Sequence, residues 1–161
     1  MAVITEPLKN QADVLRRGLA DLRAEDAELA AILDAEVTRQ QHTLSLVSSS
    51  CAVQPRTLAA SASVLVNVTA EGMPGKRHSA GCENVELVES LAIRRAREMF
   101  GAQYANVQPH SASNAVYQVL TALLAPGDTL LGMAVEHGGH LTHGSLAAFS
   151  GAYYKAIQYG T

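Results

Sequence analysis

The stretch "VQPHSASNAVYQVLTALLAPGD", residues 107–128, decides the fold class. Within it, Val116, Val119, Leu120 and Leu123 recur at helical spacing, so a helix is expected over about 113–124. The Pro-Gly-Asp run that follows is a turn signal, and "TLLGM" at 129–133 reads as a strand. On the other side, "YANVQ" at 104–108 reads as a short strand. Strand, helix, turn and strand in succession predict an α/β chain, a mainly parallel sheet flanked by helices.

The Ser-Ala-Ser triplet at the junction has a use of its own. A strand that passes through small hydroxyl residues into the first turn of a helix makes an anion site. The free N–H groups and the positive end of the helix dipole face the ligand, and Ser111 and Ser113 add hydroxyls. A phosphate group suits such a place. A serine acting only as the helix cap would use the same residues.

Upstream, Val88, Leu91, Ala92, Ala96 and Met99 follow the helical period, and Gly101 stands where a C-terminal cap belongs. Residues 67–83, "NVTAEGMPGKRHSAGCE", are polar and glycine-rich and read as loop, and 44–47 is an apolar "LSLV". Residues 1–43 differ in texture. Leu15, Leu19 and Leu22 form one helical stripe, Asp26 is a candidate cap, and Leu29, Leu33 and Val37 form a second stripe. The expected organisation is a helical arm over 1–43, packed on something else, followed by an α/β portion over 44–161. No internal repeat interrupts it.

Composition narrows the functional classes. The 161 residues are about one domain's worth, 48% hydrophobic with no tryptophan, so a core must be filled largely by small aliphatic groups. Twelve basic and 15 acidic side chains are interspersed and give a net charge of -3, which offers nucleic acid no basic stripe. No apolar run approaches the roughly 20 residues of a membrane span, and the first 25 residues read as charged helix, not as a secretory signal. A cytoplasmic protein is expected. Cys51 and Cys82 lack CxxC spacing and are expected to be small buried or half-buried thiols, not a disulfide. His137, His140 and His143 recur every third residue, but Gly138, Gly139 and Gly144 argue for a loop and no carboxylate or cysteine pattern accompanies them. Zinc is not expected, and His137 and His143 read as structural or solvent-facing.

Longer motifs carry a family likeness. "AEGMPGKR" at 70–77 and the continuous stretch from Ser79 to Gly160 contain "GAQYANVQPHS", "LLAPGDTLLGM" and "HGGHLTHGS". Together they resemble the serine hydroxymethyltransferases, pyridoxal 5'-phosphate (PLP) enzymes of the aspartate-aminotransferase-like fold, type I. The likeness runs from about Asp26 to Thr161, and it covers only the first third to two-fifths of that family's chain. The α/β portion would then be the N-terminal part of the PLP-binding large domain, incomplete without a C-terminal half.

The resemblance implies roles residue by residue. Ser111, Ala112 and Ser113 match the family's phosphate-binding turn, in agreement with the anion site. His140 matches the histidine that stacks on the pyridine ring. Glu71 matches the catalytic glutamate that reaches across the dimer interface toward substrate hydroxyl and folate, and Ser49 matches a serine that holds the substrate carboxylate. Val135, Gly138, Gly139 and Leu141 fall where the family lines its pterin pocket.

The departures bear on the reaction. Where the family reads Tyr-Ala-Glu-Gly-Tyr-Pro-Gly-Lys-Arg-Tyr-Tyr-Gly-Gly-Cys-Glu, this chain reads "TAEGMPGKRHSAGCE". Thr69 stands for the tyrosine that bonds the partner subunit's cofactor phosphate, and its hydroxyl is shorter in reach. His78 replaces a ring that packs on folate, and Ser79 replaces the tyrosine that orients the amino acid. The family's Ser-Glu-Asn becomes Ser49, Ser50 and Cys51, without the carboxylate. Tetrahydrofolate use is thereby placed in doubt.

The family's Schiff-base lysine, the aspartate paired with the pyridine nitrogen and the arginine that grips the substrate carboxylate lie beyond residue 161. Lys9, Lys76 and Lys155 are the only lysines here, and none follows Thr-His. The expectation is an excised fragment or one half of a split one-carbon-metabolism enzyme. In the split case a hetero-oligomer with a separate C-terminal half would act as a transferase or aldolase on a small amino-acid substrate. The alternative is a catalytically degenerate subunit that stabilises or regulates a complete homologue.

Overall fold

The computed structural model describes residues 9–161, so the first eight residues of the expected charged N-terminal helix lie outside the described residues. Two compact units divide the chain, Met1–Val88 and Glu89–Thr161.

The first unit opens with a helical hairpin, α1 (Gln11–Glu25) and α2 (Ala27–His42). Asn10 caps α1 by accepting from the Asp13 amide at 3.1 Å. Asp26 serves both helices: its amide donates to the Leu22 carbonyl at 2.9 Å, and its carboxylate accepts from the Leu29 amide at 3.0 Å. The cap expected at Asp26 is therefore present. Ala30 is buried, whereas Leu29, Ile32, Leu33 and Val37 remain exposed. The second apolar stripe of the arm is thus uncovered among the described residues. The segment "LSLV" has no regular structure, with Leu44 and Leu46 more than four-fifths exposed. Helix α3 (Pro55–Ser61) and a 3-10 turn at Val64–Asn67 follow. The Gln11 side chain ties α1 to them, donating to the Ala62 carbonyl at 3.1 Å and accepting from the Val64 amide at 3.5 Å.

Residues 67–83 are not all loop. Strands β1 (Gly72–Met73) and β2 (Lys76–Arg77) pair antiparallel, Gly72 opposite Arg77 and Met73 opposite Lys76. The connection has Pro74 at its second position and Gly75 at its third with φ of 76°, the combination a type II turn requires. The Pro-Gly pair was the available signal. With two residues per strand, no period-2 alternation could develop to announce it.

Helix α4 (Glu83–Phe100) ends as expected: Gly101 has φ of 59° and the Ala102 amide reaches back to the Arg97 carbonyl at 3.0 Å, a Schellman closure. The strand expected at 104–108 is absent. The segment is irregular, Asn106 turns back on the Gln108 amide, and Tyr104 is 87% exposed. A strand exists only through its ladder, and no described strand pairs with this one.

Helix α5 (Ala112–Leu123) and strand β3 (Thr129–Met133) stand where the sequence puts them. A 3-10 turn at Val135–His137, a run of turns, helix α6 (Phe149–Tyr153) and strand β4 (Lys155–Tyr159) complete the chain. Strands β3 and β4 are parallel and in register from Thr129 opposite Lys155 to Met133 opposite Tyr159. The described residues therefore form a mixed helix and small-sheet structure, with two parallel strands where a larger parallel sheet was expected. Cys82 is buried but Cys51 is exposed, because 43–52 is irregular chain that no described residue covers. No helix among the described residues is long and apolar enough to cross a membrane.

Gly72 is the backbone requirement of the hairpin. Its φ is 98°, and a Cβ there would overlap the Lys76 carbonyl oxygen. Gly72→Ala should therefore lower the unfolding free energy by about 1–3 kcal/mol. A denaturant midpoint equal to the parent's, followed by circular dichroism, would contradict this.

Candidate functional site

The expected site residues fall in both units. In the first, Ser49 lies in a turn closed by the Ser50 amide on the Val47 carbonyl at 2.9 Å, and its side chain is exposed. The adjacent surface hollow, about 500 Å³, is lined by Arg39, Thr43, Ser45, Ser50 and Cys51 among others. The Arg39 guanidinium already grips Glu36 at 2.7 Å from two nitrogens. Hydrogen bonds from Arg39 and Gln40 hold the Glu36 carboxyl down at about 2. The two bonds to Glu36 use two of the five N–H donors of Arg39.

Glu71 precedes β1 and its side chain is exposed. Its carbonyl accepts from the His78 amide at 3.2 Å, so Glu71 and His78 close the open end of the hairpin. Beneath them lies an ion pair that sequence reasoning missed. The Arg77 side chain is only 8% exposed, and its Nε donates to the Glu86 carboxylate at 2.9 Å. One terminal nitrogen donates to the carbonyls of Ala70 at 3.1 Å and Gly72 at 2.7 Å, on either side of Glu71. The other Glu86 oxygen accepts from the Gly75 amide. One planar guanidinium thus fixes the backbone on both sides of the acidic residue and anchors it to α4. Thr69 and His78 are exposed, and Ser79 is partly covered. The buried Cys82 thiol lies 3.6 Å from the Thr69 carbonyl and holds that end of the loop.

The residues of the expected anion site lie in the second unit. Ser111 is the N-cap of α5, and its hydroxyl oxygen accepts from the Asn114 amide at 3.1 Å. The capping role and the anion role are compatible, because the Ser111 hydroxyl proton remains available. The first intrahelical bond is made by the Ala115 amide, on the Ser111 carbonyl at 3.0 Å. The amides of Ala112 and Ser113 and the Ser113 hydroxyl hydrogen-bond no described residue, and both residues are exposed. Two amides and two hydroxyls at the positive end of a helix dipole form a cradle for a phosphate dianion.

The loop after β3 carries the rest. Ala134 is buried, and its carbonyl accepts from the His137 and Gly139 amides at 3.0 and 2.9 Å. Gly138 has φ of 97°, and a Cβ on Gly139 would overlap the Met133 carbonyl. Val135 and Leu141 are about half exposed and offer the apolar surface expected of them. The three histidines do not converge. The Thr161 amide donates to His137 Nδ1 at 3.3 Å, and the His137 ring lies against Gly160, where a Cβ would come within 2.8 Å of Nε2. His140 and His143 meet edge to face with centroids 5.8 Å apart. His137 is exposed and meets the Gly160–Thr161 backbone.

Strand β3, the loop after it, α6 and β4 form a parallel strand–loop–helix–strand unit, as an α/β chain does. A profile of the family described as Serine hydroxymethyltransferase matches residues 22–161. The serine hydroxymethyltransferases of Coxiella burnetii (strain CbuG_Q212) and Hydrogenovibrio crunogenus are each 56% identical over 135 residues, and that of Halorhodospira halophila is 54% identical over the same length. In each case the match covers 84% of this chain and 32% of the relative. The chain belongs to the serine hydroxymethyltransferase family, and it spans about a third of the length of the curated relatives it matches.

The two serines should separate by measurement. Ser111→Ala removes the cap and should cost about 0.5–2 kcal/mol of stability. Ser113→Ala should leave stability unchanged and weaken phosphate-ester binding by about 1.5–3 kcal/mol. Parallel denaturation and binding titrations check both, and a Ser113→Ala chain with undiminished affinity would remove that hydroxyl from the cradle.

Proposed function

We propose that this chain is the N-terminal half of a PLP-dependent transferase or aldolase of its family, working on a β-hydroxy-α-amino acid by aldol, transaldol or hydroxymethyl transfer. The observation that carries the proposal is the cradle at the start of α5, whose Ala112 and Ser113 amides and Ser111 and Ser113 hydroxyls suit a phosphate ester. PLP, when bound, supplies the electron sink for the pair left at Cα as the Cα–Cβ bond breaks. His140 covers the flat face of the ring. Ser49 takes the substrate carboxylate, Thr69 reaches the phosphate held by the other subunit, and Glu71 accepts the proton of the substrate hydroxyl. Val135, Gly138, Gly139 and Leu141 line the pocket for the one-carbon carrier or for whatever replaces it.

A separate C-terminal half completes the site in this reading, by supplying the Schiff-base lysine that none of Lys9, Lys76 and Lys155 provides. The apolar stripe Leu29, Leu33 and Val37, left 41–56% exposed, supports a hetero-oligomer in which a partner surface covers it. A cytoplasmic location and the division into an arm over 1–43 and a cofactor-binding portion over 44–161 belong to the same proposal. Thr69, Met73, His78 and Ser79 stand where the family has tyrosines. They support the second reading, a degenerate interaction or regulatory subunit, and within the first reading they favour a reaction independent of tetrahydrofolate.

Copurification with a candidate C-terminal half, followed by an absorbance spectrum with PLP, tests the proposal. A visible band that neither half shows alone is expected, and its absence from the intact pair leaves the regulatory reading. In the active pair, a threonine-like substrate should be cleaved without tetrahydrofolate, and Glu71→Gln should slow cleavage by about 100-fold or more. Strict folate dependence would restore the hydroxymethyl transfer.

A further inference from the structure

We propose that Thr142 is a positioning residue that locks His140 as the tautomer with its proton on Nε2 and thereby sets the plane of that ring. Thr142 is 4% exposed, one of two buried polar side chains among the described residues. Its hydroxyl oxygen lies 2.7 Å from His140 Nδ1, and its backbone amide donates to the same nitrogen at 3.3 Å.

The two contacts together decide the proton. A neutral imidazole nitrogen carries either one hydrogen or one in-plane lone pair. With a proton on Nδ1, the Thr142 amide hydrogen would face another hydrogen in a place closed to water. With Nδ1 bare, amide and hydroxyl both donate to its lone pair, and no buried polar group is orphaned. Nε2 then carries the ring's only N–H.

The lock acts on orientation as well as on protonation. Two donors from one buried residue grip a single edge atom of a side chain that is otherwise exposed, so the ring cannot turn about χ2 without breaking both. His143 closes one side at a centroid distance of 5.8 Å. The Thr142 backbone is itself held, because the following loop lies against the sheet: a Cβ on Gly132 would overlap the His143 carbonyl, and the Gly144 amide donates to the fully buried Ser150 hydroxyl at 2.9 Å. The consequence for cofactor binding rests on the reading of His140 given under Proposed function. A ring held in advance loses no rotational freedom when a flat ligand settles on it.

Nitrogen NMR of the imidazoles in the full chain without cofactor tests the lock. In the parent and in Thr142→Ser, His140 Nδ1 should show only the unprotonated shift and Nε2 only the protonated one. Thr142→Val, equal in shape, loses the closer contact at 2.7 Å and keeps only the longer amide contact at 3.3 Å, so a minority of rings protonated on Nδ1 should appear and move the two shifts toward each other. In the assembled pair the same variant should weaken PLP affinity about threefold to tenfold, with Thr142→Ser restoring it. A proton on Nδ1 in the parent overturns the proposal, as does a Thr142→Val chain with the parent's nitrogen shifts. A parent with the expected shifts whose assembled pair binds no PLP leaves the lock standing and removes the cofactor reading instead.

Discussion

The second unit depends on one close approach, the loop after β3 lying directly on the strands it connects. Gly132, inside β3, meets the His143 carbonyl so closely that any side chain at 132 would push the loop away. Gly151 is in the same position against the Ser145 carbonyl, and Gly144 against Ala156 of β4. Once the loop lies flat, its polar groups need partners within the layer. Ser150, fully buried, accepts from the Gly144 amide, and Thr142 brings both its hydroxyl and its amide to one nitrogen of His140. The aromatic series Tyr117, Phe149 and Tyr154, with centroids 4.7 and 6.5 Å apart, ties α5 to α6 and so keeps the helix capped by Ser111 attached to the same layer.

The first unit uses a different device for a similar end. An exposed carboxylate on a glycine-rich loop has no geometry of its own. Glu71 acquires one because Arg77 gathers the carbonyls of Ala70 and Gly72 on one nitrogen and is itself neutralised by Glu86. Half a pair left at this site would be a nearly buried charge without its counterion, which is costly. Arg77 and Glu86 are therefore coupled choices, and Gly72 is the third because only a residue without Cβ tolerates that turn.

Apolar surface is the other constraint. Full burial of a large aliphatic side chain contributes about 1.5–3 kcal/mol, and Leu29, Ile32, Leu33, Val37, Leu44 and Leu46 realise little of it in the described structure. Leu29, Leu33 and Val37 recur at helical spacing on α2, and Leu44 and Leu46 follow it in irregular chain. Residues 104–108 likewise suit a strand, but its ladder is absent among the described residues.

Local rules made much of the chain legible. The caps at Asp26 and Gly101, the span of α5, the turn after it and β3 depend on residues within a few positions of one another, and short-range sterics and hydrogen bonds settle them. The Ser111 cap of α5 belongs with these, because a capping serine is a local construction. Strand β4 escaped the sequence reading although "KAIQY" is rich enough to suggest it, since its pairing is made with residues 26 positions earlier. The Arg77–Glu86 pair and the Thr142–His140 contact were likewise out of reach. Each depends on which polar group is buried beside which, and burial is fixed only when the loop meets the helix or sheet beneath it. The sequence by itself determined α1, α2, α4 and α5, the turn after α5 and strand β3, and it missed α3 and α6. The tertiary structure alone decided which of the candidate site residues are held, and by what, because a hydrogen bond between distant positions exists only after packing has excluded water from both of its ends.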